Sequence, residues 1–158
     1  MNKIINFFVM IMVTIAGVSA QSNIQKAIDQ QDYKAVQKLD KDINQVFEAD
    51  GIKLTPLSYA SIKGEAEMVS LLLKNGASAK QITEGSDALM YAAKGGNLEC
   101  VQLLVKAGAQ VMNEGKDGMT ARDYAVQAGH SDVAIYLNEQ LSAEIEKRKA
   151  APRTKITR

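Results

Sequence analysis

The amino-acid sequence predicts an all-α fold, a solenoid of about four helix-turn-helix units joined by hairpin-like loops. Three observations predict it. Tyrosines recur at positions 59, 91 and 124, spaced by 32 and 33 residues, and Gly64, Gly96 and Gly129 keep the same spacings. Apolar positions follow them: Val69, Val101 and Ala134, then Leu72, Leu104 and Leu137. Gly76-Ala77 returns as Gly108-Ala109. A degenerate earlier copy precedes these, because Ala27, Val36 and Leu39 stand 33 residues before Ala60, Val69 and Leu72.

The units follow in chain order. Residues 21–50 read as a degenerate N-terminal capping unit. Residues 51–84 and 85–117 are full units, residues 118–141 a C-terminal capping unit, and residues 142–158 a basic tail. Thr55 and Thr120 stand just before a helix, where a hydroxyl caps free amides, and Asp87 occupies the equivalent place. Pro56 at a first helical position sacrifices no hydrogen bond. Gly64, Gly96 and Gly129 end the first helix of each unit, and Gly76 and Gly108 close the second. Leu71, Leu72, Val101, Leu103, Leu104, Val133 and Leu137 recur at helical spacing and face neighbouring units. One unit cannot bury its own apolar face; stacking does it, with polar units at the ends. Asp29-Gln30-Gln31-Asp32 suits the first cap, and Arg122 with Asn138-Glu139-Gln140 suits the last. Leu141–Lys147 extends the last helix by a turn or two, and Pro152 stops it.

These stretches resemble the ankyrin repeat. The resemblance is carried by Thr55-Pro56-Leu57-Ser58-Tyr59-Ala60, by Leu71–Ala77, by Asp117–Ala125 and by Gly129–Ala134, and it covers about Ser22 to Leu141. The chain departs from the family pattern where a His follows Thr-Pro-Leu, having Ser58, Met90 and Asp123 instead. Without that His, looser loops between units are expected. The loop before the second unit has Lys53 where the family has Gly.

The first twenty residues, MNKIINFFVMIMVTIAGVSA, read as a signal peptide. Lys3 gives the positive start, Ile4–Ala16 the apolar run, and Val18-Ser19-Ala20 the small residues before cleavage at Gln21. The run is shorter than the roughly 20 residues that span a bilayer. The expected product is periplasmic or secreted, without a transmembrane span in the mature chain. The lone Cys100 permits no internal disulfide and reads as a small buried hydrophobe.

Charge excludes some partners. Residues 144–158 hold six bases (Lys147, Arg148, Lys149, Arg153, Lys155, Arg158) against Glu144 and Glu146. With Lys3 set aside, residues 21–143 hold twelve bases and sixteen acids. The body therefore carries no basic footprint for nucleic acid. Chemistry is scarce too. One His and one Cys cannot make a His/Cys metal set. His130 sits at a turn with a structural role, Glu65 and Glu67 read as solvated caps, and neither a Gly-x-Ser-x-Gly elbow nor a phosphate loop occurs. No catalytic residue and no cofactor is assigned, and the chain reads as a non-enzyme.

The resemblance implies protein binding through loop tips and first helices that form a concave face. Carried over by position, the loop candidates are Ile52, Leu54, Thr83, Glu84, Ser86, Lys116, Asp117 and Met119. The first-helix candidates are Ile62, Lys63, Met90, Lys94 and Gln127. Ile52, Leu54, Ile62, Met90 and Met119 are expected to be at least partly exposed there, whereas the tyrosines are expected to pack inside. The leading expectation is an exported, monomeric adaptor or inhibitor of a partner protein, such as an enzyme. Resemblance to exported bacterial ankyrin proteins that neutralise toxins or restrain cell-wall enzymes implies the same. The alternatives are a secreted effector that binds a host protein and an envelope scaffold anchored by its basic tail.

Overall fold

The helix-turn-helix expectation is met by four consecutive helix pairs. The structure, a computed structural model, describes residues 24–39 and 42–150. The proposed signal segment, the start of the first unit and Pro152–Arg158 lie outside them. Helices α1 (residues 24–29) and α2 (Tyr33–Gln37) make the first pair, α3 (Pro56–Lys63) and α4 (Ala66–Lys74) the second. The third is α5 (Ala88–Gly95) and α6 (Leu98–Lys106), the fourth α7 (Ala121–Ala128) and α8 (Ser131–Ala150). First helices stack on first helices, α3 on α5 and α5 on α7, and second helices on second, α2 on α4 and α4 on α6.

Helix ends form where the side chains satisfy orphan backbone groups. Thr55 Oγ1 accepts from the Ser58 N–H at 3.0 Å, and Asp87 Oδ1 from the Met90 N–H at 3.0 Å. Thr120 and Asp123 form a reciprocal capping box at the start of α7. The recurring Gly-Ala has a specific geometry. After α4, the Gly76 N–H donates to the Leu73 carbonyl and the Ala77 N–H to the Leu72 carbonyl. That closure needs a left-handed residue, and Gly76 supplies it at φ 92°. Ala77 then tucks its methyl group inside.

The core is a ladder running through the stack. Leu72, Leu104 and Leu137 are fully buried in the second helices, with Val69, Val101 and Val133 beside them. Burial of one such side chain contributes about 1.5–3 kcal/mol. Leu57, Leu89, Ala60, Ala92 and Ala125 fill the first-helix side. Cys100 is wholly buried, as expected, and burial pushes its thiol up to about 12.

The loops between units are tied more firmly than their missing histidines predict. Asn44 Nδ2 donates to the Gly76 carbonyl at 3.2 Å, Asn44 Oδ1 accepts from the Ser78 N–H at 2.8 Å, and Gln81 Nε2 donates to the Asn44 carbonyl at 3.1 Å. Asn113 Nδ2 reaches Asp87 Oδ2 at 3.1 Å. At the helix-helix turns, Asn97 Nδ2 donates to the Gly64 carbonyl at 2.9 Å, and the His130 ring lies against Gly96. Each turn thus leans on the turn of the preceding unit. Glu65 and Glu67 stand at the N-cap and in the first turn of α4, as expected, and each also reaches the preceding unit. Glu65 makes no side-chain cap and instead accepts from Gln31 Nε2 at 2.7 Å, while Glu67 accepts from the Tyr33 hydroxyl at 2.8 Å.

Two further features concern the first loop and the last helix. The loop between the first two pairs is a true hairpin, β1 (Phe47–Ala49) antiparallel to β2 (Ile52–Leu54), with Phe47 opposite Leu54. Asp50 and Gly51 turn it with φ of 52° and 76°, the two-residue turn that suits strand twist. Gly51 therefore turns the chain two residues before Lys53, and Lys53 is a strand residue paired with Glu48. At the other end α8 runs for 20 residues, against nine in α4 and in α6, and reaches Ala150, in line with the expected extension through Lys147.

Candidate protein-binding face

The hairpin tips and first helices bring part of the expected set together. Tyr124, from α7, donates its hydroxyl to both carboxylate oxygens of Asp117 at 2.9 Å. Gly115 permits this approach, because a Cβ there would stand 2.8 Å from the Tyr124 Oη. The Met119 N–H donates to Asp117 Oδ1 at 3.1 Å. That bond first, then Tyr124, and then the Lys94 charge hold the Asp117 carboxyl below its ordinary value. Ser86 faces the phenols of both Tyr91 and Tyr124. Burial first, then Asp117, pushes the Tyr124 phenol up. The stem of Lys116 lies across Gly85, so one hairpin tip rests on the next. Glu84, Lys94, Lys116, Asp117 and Gln127 are exposed, and Ser86, Met119 and Ile62 are half-buried.

Three candidates do not reach the surface. Leu54 is 3% exposed, because the longer hairpin sets it at the base of β2 opposite buried Phe47. Met90 is 3% exposed. Its equivalent Ser58 is also fully buried, while Asp123, with no unit beyond it, is half-buried; the position belongs to the interface with the next unit. Thr83 is buried by its backbone pairing with Ser86, and its hydroxyl has no protein partner. Ile52, 40% exposed, stands on the β1–β2 hairpin as expected.

Lys63 is engaged within the first two pairs. Its Nζ lies 3.5 Å from Asp29 and 5.2 Å from the centre of the Tyr59 ring. Tyr59 first, and then Asp29, raise its pKa. Tyr59 is buried as expected, donates to Asp29 at 2.8 Å and meets Phe47 edge-on at 5.5 Å. Tyr91 and Tyr124 are only half-buried, so they join the face that sequence reasoning assigned to other residues. Their signal was available: an aromatic kept at each period beside a hairpin rich in polar residues.

The stacked pairs, their projecting hairpins and this mixed aromatic and charged face define a repeat-type interaction module. A family model described as ankyrin repeats, three copies, matches residues 24–114 and again 76–149. The chain belongs to the ankyrin-repeat family, whose repeats are protein-protein interaction modules and typically non-catalytic. No curated protein matches the chain in sequence. Among the described residues, no helix is long and apolar enough to cross a membrane.

Proposed function

We propose that the protein is an exported adaptor or inhibitor that binds a partner protein, such as an enzyme, through the face around Tyr91 and Tyr124. One observation carries the site: side chains of two successive units, Ser86, Lys94 and Asp117 from one and Tyr124 from the next, gather around half-buried aromatic rings. Tyrosines that present a large surface at small entropic cost are frequent anchors of protein interfaces. Export rests on the character of residues 1–20, with its positive start, apolar run and small residues at 18 and 20.

Capture from a periplasmic extract tests both parts. The full chain, expressed with a C-terminal tag, is expected in the periplasmic fraction, cut after Ala20 by mass spectrometry. Ile62→Glu and Lys94→Glu are expected to weaken the captured partner at least tenfold, about 1.4 kcal/mol. Gln102→Glu, on the exposed side of α6, leaves it unchanged. A partner that tolerates both first changes but is lost on the third would place binding on the other side of the stack.

A further inference from the structure

Because α8 outruns the other second helices, its C-terminal half lies alongside the loop that follows α6. Between them runs a groove of about 740 Å³. Its lining is mainly polar, with Val105, Val111 and Met112 as the larger apolar members. Val111 is half-buried and Met112 is 41% exposed, an unbranched thioether that adapts to different guests. Its rim is basic, formed by Lys80, Lys147 and Arg148. The one acid on the rim, Glu144, accepts from Arg148 Nε at 2.9 Å, and among the described residues neither Lys80 nor Lys147 has an ion pair. Lys149 and the three further bases at 153, 155 and 158 follow in sequence with no acid among them.

We propose that this groove is a second interaction surface, separate from the face around Tyr91 and Tyr124, and that it takes an acidic peptide segment bearing apolar side chains. Charge complementarity selects the acid: a carboxylate chain meets two unpaired ammonium groups without displacing an existing partner. The concave shape and the exposed Met112 select a peptide over a flat anionic surface, since an apolar side chain can seat against Met112 and Val111 while carboxylates reach the basic rim. The groove stands on rigid elements, a helix and a loop held by the Asn113–Asp87 hydrogen bond. A ligand there needs little rearrangement of the protein.

Fluorescence anisotropy on the full chain tests the proposal with three labelled decapeptides: alternating Glu and Leu, Glu with Ser in place of Leu, and Lys with Leu. Binding is expected for the Glu/Leu peptide, weaker for Glu/Ser and absent for Lys/Leu, and it should fall as salt rises. The double variant Lys80→Glu, Lys147→Glu should weaken Glu/Leu binding at least tenfold, and Met112→Asp should erase the preference of Glu/Leu over Glu/Ser. Circular dichroism melting checks that both variants keep the fold. The groove reading is overturned if Glu/Leu binds no better than Lys/Leu, or if the variants bind it unchanged. It is equally overturned if vesicles containing anionic phospholipid, and not the peptide, are the ligand that depends on Lys80 and Lys147. None of these outcomes depends on Ile62 or Lys94, so this surface and the face around Tyr91 stand or fall separately.

Discussion

The third and fourth helix pairs carry the same pattern, yet they treat it differently. In α5 and α6 the positions of Leu89, Met90, Ala93 and Val101 are buried, and Val105 is half-buried. One period later stand Arg122, Asp123, Val126, Ala134 and Asn138. The first, second and fourth are half-buried, Asn138 is exposed, and Val126 is 56% exposed. The positions nearest the helix axis do not change: Leu104 and Leu137 are both buried, as are Ala92 and Ala125. A residue on the outer set is therefore buried by the neighbour that follows and not by its own unit. Polar residues at 122, 123 and 138 make the last pair a cap.

Exchanging residues between the two pairs breaks or sharpens this comparison. The largest effect is expected for Leu89→Arg, which sets a charge where no water reaches. It should cost about 3–5 kcal/mol, the scale of an uncompensated buried charge, whereas the mirror change Arg122→Leu should stay within about 0.5 kcal/mol. Urea unfolding of both reads the difference, and equal costs would show that the fourth pair is not an end. Next, Leu104→Ala should cost about 2–5 kcal/mol by loss of contacts and cavity formation. Ala93→Val asks for one residue's growth in a filled interface and should cost about 1–3 kcal/mol, while Val126→Ala should shift the midpoint by less than about 0.5 kcal/mol.

The smallest effect is a pH dependence confined to the last pair and its hairpin. Asp117 is held low by the Met119 N–H and Tyr124, and Asp123 by the Thr120 hydroxyl first and then its N–H. Both folded values lie below the unfolded ones. Their stabilisation is therefore present above the ordinary carboxylate range near pH 4 and is lost as the pH falls through the depressed values. Asp117 is exposed and Asp123 only half-buried, so solvent screens the gain. Carboxyl resonances followed by NMR should titrate below pH 4 for these two. Melting below that range should begin with α7 and α8, because Met90 replaces the titrating residue in the third pair. A Thr120→Ala change should reduce the Asp123 shift, because the bond from the backbone N–H of residue 120 remains, and leave that of Asp117.

Much of this was legible in the sequence. The 32- and 33-residue spacings place every helix from α3 onward, and Thr55, Asp87 and Thr120 cap where a short polar side chain precedes an apolar run. Arg122 and Asn138 mark the final cap. What the spacing does not convey is depth. Leu54 and Met90 occupy loop and first-helix positions, but hairpin length decides the first and coverage by α7 the second. A hairpin-like loop was expected before α3, but not its tip, because Asp50-Gly51 falls two residues before the place where the family pattern sets a glycine. The ties made by Asn44 and Asn97 join residues about one period apart, that of Asn113 a shorter span, and such bonds depend on loop placement that periodicity leaves open. Half of the candidate face was similarly veiled: Tyr91 and Tyr124 share a repeat position with buried Tyr59, which Phe47 and Asp29 enclose.

One absent atom group has a further consequence. A Cβ on Gly95 would stand 2.9 Å from the Ile62 carbonyl oxygen, backbone against backbone. One period on, Ala128 carries that methyl group at the exposed end of α7. The second and third first-helices therefore converge at their C-terminal ends to a distance that any side chain would prevent. In a stack whose curvature is the sum of small rotations between units, that site acts as an adjusting screw: one added carbon would splay the two helices and change how wide the binding face opens, without altering any residue that lines it.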